Sequence, residues 1–263
     1  MSGIRPQITM KTTKIEAMTY AGKILGDVLS ELVEFVKPGV TELDIDNLAE
    51  KLIRDKGGEP GFKKVPGYHH TICISLNDVV VHGIPTKRVV QEGDIVGIDC
   101  GVYYMGFHTD MAESVYVSSK SQKKEIRKFL DAGKNSMFAG ISQAMAGNRV
   151  GNISKAMQEV IEDGGYSVVR NLVGHGVGKS LHEAPEIPGY LSGNIKQTPL
   201  LYEGQTIAIE IIYNMGKPGV VYSGTDDWTI VSEDGSLSGL FERTVLVTKD
   251  GPKLITKLKG DTL

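Results

Sequence analysis

The chain has 263 residues, 40% hydrophobic, with 32 glycines, which is enough for a sizeable core with many tight turns. Its 29 basic and 32 acidic residues leave a net charge of −3 with no basic block, so no nucleic-acid partner is expected and small peptides fit better. The opening MSGIRPQITMKTTKIEAMTY has no apolar run before a small-residue cleavage site, and no later stretch reaches the roughly 20 apolar residues of a membrane span, so a cytoplasmic protein without membrane contact is expected.

Residues 14–36 carry Ile15, Met18, Ile24, Val28, Leu29, Leu32 and Val36 at helical spacing, and Pro38-Gly39 stops the helix. Thr41 reads as the N-cap of a second helix, with Ile45, Ala49, Leu52 and Ile53 on one face and Gly57-Gly58 at its end. Short apolar runs at 71–76, 95–104 and 112–117 follow as strands. Another helix pair is predicted over 124–145 and 150–163, broken at Gly147 and ended by Gly164-Gly165, and it precedes strands at 167–172, 206–213, 228–231 and 241–247. The two pairs echo each other: Ala21-Gly22-Lys23 matches Ala132-Gly133-Lys134. Helices followed by antiparallel strands, twice over, predict an α+β fold with one curved sheet and helices on its outer face. The whole chain, 1–263, reads as a single catalytic domain of two pseudo-symmetric halves, about 12–120 and 121–250.

Five side chains that favour metals lie in strand-like or glycine-rich segments: Asp99, Asp110, His175, Glu210 and Glu242. In DIVGIDCGVYYMGFHTDMAESVYV, Met105-Gly106 makes a two-residue turn, so Gly101 faces Asp110 and Asp99 shares their side of the hairpin. Two carboxylates pointing the same way repel unless a cation lies between them. A solvated hairpin rim would also carry such a pair, but Ile98 and Cys100 beside Asp99 suit burial. His175 sits between Gly174 and Gly176, where backbone can approach a metal closely, and His182 follows seven residues later. Either histidine alone is more often a hydrogen-bonded structural residue. In QTIAIE, alternation sets Ile207 and Ile209 on one face and Ala208 and Glu210 on the other, concave one, while Glu242 follows Phe241 in LSGLFERTVLV. Four carboxylates and an imidazole suit two divalent ions, Mn, Fe, Co or Zn, about 3.5–4 Å apart, a pair that activates water. Cys73 and Cys100 lack CxxC spacing and read as free thiols.

The motifs NDVVVHGIP, DIVGIDCGV, GFHTDMA, GHGVGKSLHEAPEIPGY, AIEI and GLFERT resemble, in order and spacing, those of the type I methionine aminopeptidases over nearly the whole chain. The sequence is read as without the N-terminal zinc-binding extension and without room for the long helical insertion of the type II enzymes, so the short bacterial-style form is expected. The resemblance implies the pseudo-twofold pita-bread fold. It implies that Asp99 chelates one metal, that Asp110 and Glu242 bridge both, and that His175 and Glu210 hold the other. It further implies that a water between the metals attacks the first peptide carbonyl, that Glu210 takes its proton, and that the catalytic His82 and His182 contact the substrate. Tyr68, Cys73, Leu181 and Trp228 match the methionine-binding positions, though ordinary core is their plainer reading. The implied role is removal of initiator methionine from peptides and nascent chains, met at the ribosome, by a monomeric enzyme that prefers a small second residue.

Four neighbours of these positions depart from the family pattern: Ile211 for a usual proline, Val81 for a common cysteine, Arg243 for a frequent histidine and Met111 for a small hydroxyl residue. None removes a ligand; such changes tune metal affinity or rate. Two other readings stay open. An Xaa-Pro peptidase of the same fold would use the same five ligands, although it usually carries a further N-terminal domain. A non-catalytic relative binding RNA or protein would typically have lost ligands.

Overall fold

A computed structural model describes residues 13–118 and 123–263. The reading of the first residues as free of a leader therefore falls, for 1–12, outside the described residues. The chain opens with α1 (Lys14–Phe35) and α2 (Glu42–Asp55). The Thr13 and Thr41 hydroxyls accept from the backbone N–H of Glu16 and Asp44, whose carboxylates accept from the N–H of Thr13 and Thr41. Strands β1 (Glu59–Pro60), β2 (Ile72–Leu76), β3 (Val79–Val81), β4 (Ile95–Tyr104) and β5 (Phe107–Tyr116) follow. The second half begins with α3 (Lys124–Ser142) and α4 (Val150–Asp163) and continues through β6 (Ser167–Val168), β7 (Val173–Gly176), β8 (Glu183–Pro188), β9 (Thr206–Asn214), β10 (Val220–Tyr222), β11 (Ile230–Ser232), β12 (Ser238–Leu246) and β13 (Lys253–Leu254).

Ten strands form one sheet whose main path runs β1-β4-β5-β12-β9-β7-β8, with β2 beside β4, β6 beside β9 and β13 beside β12. Every pairing in it is antiparallel. The helices cover one face. Ile98, Cys100 and Met111 pack with α1 and α2 in one buried cluster, and Ile207, Ile209, Ile211, Tyr213, Phe241 and Val245 pack with α3 and α4 in another. Each such side chain, fully buried, contributes roughly 1.5–3 kcal/mol. With a side-chain period of two, the alternate residues Asp99, Asp110, Glu210 and Glu242 are turned to the opposite face. The echoed glycines are both sites of close approach: a Cβ on Gly22 would strike the Ile255 carbonyl, and one on Gly133 the Tyr213 ring.

Three expectations need correction. The helix predicted over 124–145 stops at Ser142, because the N–H groups of Gln143 and Ala144 turn back to the carbonyls of Gly140 and Ile141 three residues away, tightening the last turn. The strand predicted at 167–172 is a strand only at β6, residues 169–172 being irregular, and β7 begins just past it. The one predicted at 228–231 leaves the large sheet and joins a second, three-stranded one ordered β10-β11-β3. Strands β1, β3, β8, β10 and β13 escape the period-two reading because they are two to six residues long and two of them contain proline.

Candidate metal centre

The hairpin register is the predicted one: Tyr104 pairs Phe107, Gly101 pairs Asp110 and Asp99 pairs Ala112. Glu242 of β12 lies between Ala112 on one side and Glu210 on the other. A single rung across β4, β5, β12 and β9 therefore reads Asp99, Ala112, Glu242, Glu210. On the next rung of the same face stand Gly101 and Asp110, then Thr244, Ala208 and His175. The Thr244 hydroxyl bonds both the N–H (2.9 Å) and the carbonyl (2.8 Å) of Asp110, continuing the pairing with a side chain. Small residues between these side chains leave their carboxyl and imidazole groups room to converge.

Asp110, His175 and Glu242 are buried, 3%, 7% and 3% exposed, and offer atoms within 4.8 Å of one another. His175 Nε2 lies 3.9 Å from Asp110 Oδ2 and 4.0 Å from Glu242 Oε1. That is too long for hydrogen bonds and suits atoms each about 2.0–2.2 Å from a shared cation. His175 Nδ1 faces the Gly176 carbonyl at 2.9 Å, which keeps Nε2 turned to the carboxylates. Burial pushes Asp110 up to about 7 and Glu210 up to about 8, the latter also raised by the Asp110 charge. Asp99 and Glu242 are driven well above the carboxylate range by burial and by the neighbouring carboxylates. Burial, with the nearby His182, lowers His175 to about 4, so it stays neutral and able to ligate. Asp99 Oδ1 and Glu242 Oε1 are buried without a hydrogen-bond partner. Orphaned oxygens in a crowd of carboxylates are costly in protein alone and are what divalent cations satisfy, so the residues present fit a metal centre.

The five residues line a cavity of about 320 Å³ together with His82, His182, Tyr68, Cys73, Leu181 and Trp228. The ring centroids of His175 and His182 lie 4.3 Å apart. His82 directly follows β3 with φ 56°, a strained left-handed position that turns it into the cavity. Burial and the nearby His182 lower its pKa. Tyr68, Cys73 and Leu181 form an apolar cluster of their own with Phe62, and Trp228 packs on it, edge to face with Tyr68 at 5.2 Å. The Tyr68 hydroxyl donates to the Ile72 carbonyl at 2.7 Å, leaving the ring to the pocket. All eleven sequence-predicted residues are thus brought together. Phe62, Val65, Val81, Asn171, Leu172, Val173 and Ile212 also line the cavity and were not singled out as its walls. Phe62 had one readable signal: it follows the turn sequence Gly57-Gly58-Glu59-Pro60-Gly61, and the missing Cβ of Gly101 admits its ring.

Residues 16–249 match the model of metallopeptidase family M24. A methionine aminopeptidase of Clostridium acetobutylicum is 42% identical over 250 residues, covering 95% of this chain and 98% of the relative. The crystal structure of a methionine aminopeptidase from Thermotoga maritima superposes with a TM-score of 0.89 at 36% identity, covering 95% of this chain and all of that one. A prolidase from Pyrococcus furiosus superposes at 0.73 with 23% identity, covering 94% of this chain and 64% of that one, which shows a shared fold alone. By sequence and by structure, the chain belongs to metallopeptidase family M24 and, within it, to the methionine aminopeptidases.

Proposed function

We propose that this chain is a methionyl aminopeptidase, removing N-terminal methionine from peptides and nascent proteins. Asp99 would serve one of two divalent ions, Mn, Fe, Co or Zn, His175 and Glu210 would serve the other, and Asp110 and Glu242 would serve both. The observation that carries this reading is the pair of adjacent rungs that aims four carboxylates and a neutral histidine into a cavity walled by Tyr68, Cys73, Leu181 and Trp228. Cations held there supply Lewis-acid polarisation and ease the deprotonation of water at neutral pH.

The chain's own residues do the rest. Glu210 accepts the proton of the attacking water and passes it toward the leaving amine. His182, edge to face with His175 in the cavity wall, donates to the scissile carbonyl oxygen as it becomes tetrahedral, and His82 donates at the amide nitrogen. The apolar pocket takes the unbranched thioether chain. Requiring a free amine beside the carboxylates makes the enzyme an exopeptidase, and a small second residue passes most easily to the next subsite. The two halves, about 12–120 and 121–250, act as one catalytic domain. The substrate is a nascent chain met at the ribosome in the cytoplasm by a monomeric enzyme. A slightly acidic charge supports a peptide rather than a nucleic-acid partner, and among the described residues no helix is long and apolar enough to cross a membrane.

The test is hydrolysis of Met-Ala-Ser against Ala-Pro-Ser by chelator-stripped protein with Mn, Fe, Co or Zn restored singly. Cleavage of the methionine peptide with restored metal is expected. Turnover of the proline peptide alone would replace this reading with an Xaa-Pro peptidase.

A further inference from the structure

Between β5 and β12 the sheet forks at the cavity. Main-chain pairing across this seam covers only Glu242 with Ala112 and Arg243 with Met111. Beyond it β12 changes partner, pairing Val245 and Leu246 with Leu254 and Lys253 of β13. The wedge that opens the fork is the C-terminal segment 253–261. At the fork point the N–H groups of Ile255 and Thr256 donate to the Thr244 carbonyl at 2.9 and 3.2 Å. The fully buried Thr256 hydroxyl accepts from the Thr244 N–H at 2.8 Å and reaches the Asp110 carbonyl at 3.4 Å.

On the outer face the same segment grips the seam again. Arg243, with no exposed surface, donates through Nη1 to the carbonyls of Ala112 and Glu242 at 2.9 and 2.8 Å, tying both strands together. Its Nε and Nη2 meet Asp261 at 2.7 Å and Glu113 at 2.6 Å. The Asp261 side chain is 1% exposed, and Lys134 of α3 approaches Glu113 at 2.9 Å and Asp261 at 3.7 Å. Between these two grips the segment runs across α1, where the missing side chains of Gly22 and Gly26 admit the carbonyls of Ile255 and Lys257.

We propose that segment 253–261 is a positioning strap for the metal centre: Thr256 at the fork and Asp261 on Arg243 set the spacing across the seam between Asp110 and Glu242. The inference rests on the metal-centre reading above and adds residues that touch neither metal nor substrate. Partners of ligand-bearing groups commonly govern metal affinity by 10- to 100-fold.

The test uses Thr256→Val, Asp261→Asn, the hydroxyl-keeping Thr256→Ser, and Ile161→Val in the remote α4 core as a control for lost stability. Metal-free full-length proteins are titrated with Co(II) by calorimetry and by the visible absorption of the bound ion, with melting temperatures measured in parallel. T256V and D261N should bind Co(II) about 10- to 100-fold more weakly with an altered spectrum. T256S should bind within about twofold of the parent chain, and I161V should keep its affinity although it melts a few degrees lower. Parent-like affinity and spectrum in both T256V and D261N would overturn the strap, as would losses that track melting temperature equally in I161V. A parent chain that takes up no cobalt would overturn the metal-centre reading, and this one with it.

Discussion

Asp110→Asn separates the cost of the carboxylate cluster from its use. In the metal-free protein, burial moves the Asp110 carboxyl from 3.8 to about 7. At about 1.4 kcal/mol per pH unit, keeping it ionised costs up to about 4 kcal/mol, a large share of the roughly 5–15 kcal/mol that holds a protein folded. A carboxyl whose folded pKa is raised stabilises fully below its unfolded value and loses that contribution as pH rises through the folded value. The metal-free parent should therefore weaken between about pH 4 and pH 7, and Glu210, raised to about 8, extends the decline. The asparagine Oδ1 still accepts from the Met111 N–H, a 3.1 Å bond in the parent, but it carries no charge. At roughly 2–4 °C per kcal/mol, metal-free D110N should melt about 10 °C above the metal-free parent at pH 8 and only about 4 °C above it at pH 5, where little more than a third of the penalty has developed. His175, lowered to about 4, acts oppositely, stabilising above about 6.5 and losing that as pH falls, but it is common to both proteins and cancels. Added Mn(II) should raise the melting temperature of the parent and not of the variant, which should lose metal and nearly all turnover while staying folded. Differential scanning calorimetry between pH 5 and pH 8.5 reads all of this. A variant that melts no higher than the parent at pH 8, both metal-free, would refute the reasoning.

His182→Ala should keep both ions by elemental analysis and lose about 10²- to 10³-fold in rate, whereas an emptied site would place His182 among the ligands. Asp46 accepts from the N–H groups of Thr71 (2.7 Å) and Ile72 (3.1 Å) and faces His70 Nδ1 at 3.2 Å, anchoring the turn behind Tyr68. Asp46→Ala strands two buried donors at about 1–3 kcal/mol each and should raise KM for Met-Ala-Ser with metal affinity unchanged; an unmoved KM would show that the pocket does not lean on this anchor. Gly22→Ala puts a methyl against the Ile255 carbonyl and should cost about 1–3 kcal/mol in thermal denaturation, and a parent-like melting curve would mean that α1 and the C-terminal segment part freely.

Local chemistry was legible from residues alone. Helix periodicity, the threonine cap at Thr41, the two-residue turn at Met105-Gly106 and the alternation around Glu210 depend on neighbours a few positions away, and each is found where expected save the last turn of α3. The clustering of these carboxylates was hinted at for the same reason, because carboxylates set among Ile98, Cys100, Ile209 and Phe241 are badly placed for a solvated surface. The order of the strands was not readable. Placing β12 between β5 and β9, which puts Glu242 on one rung with Asp99 and Glu210, rests on pairing Glu242 with Ala112, 242 − 112 = 130 positions away, as well as with Glu210, 242 − 210 = 32 positions away. Short-range periodicity carries no trace of that choice. Nor does it reveal that Arg243 beside Glu242 is a buried tie rather than a surface charge, that β11 joins a second sheet, or that Asn171 and Leu172 wall the cavity. Those outcomes are decided when the two halves pack and distant backbone groups must all find partners, a condition on the whole chain that no single segment encodes.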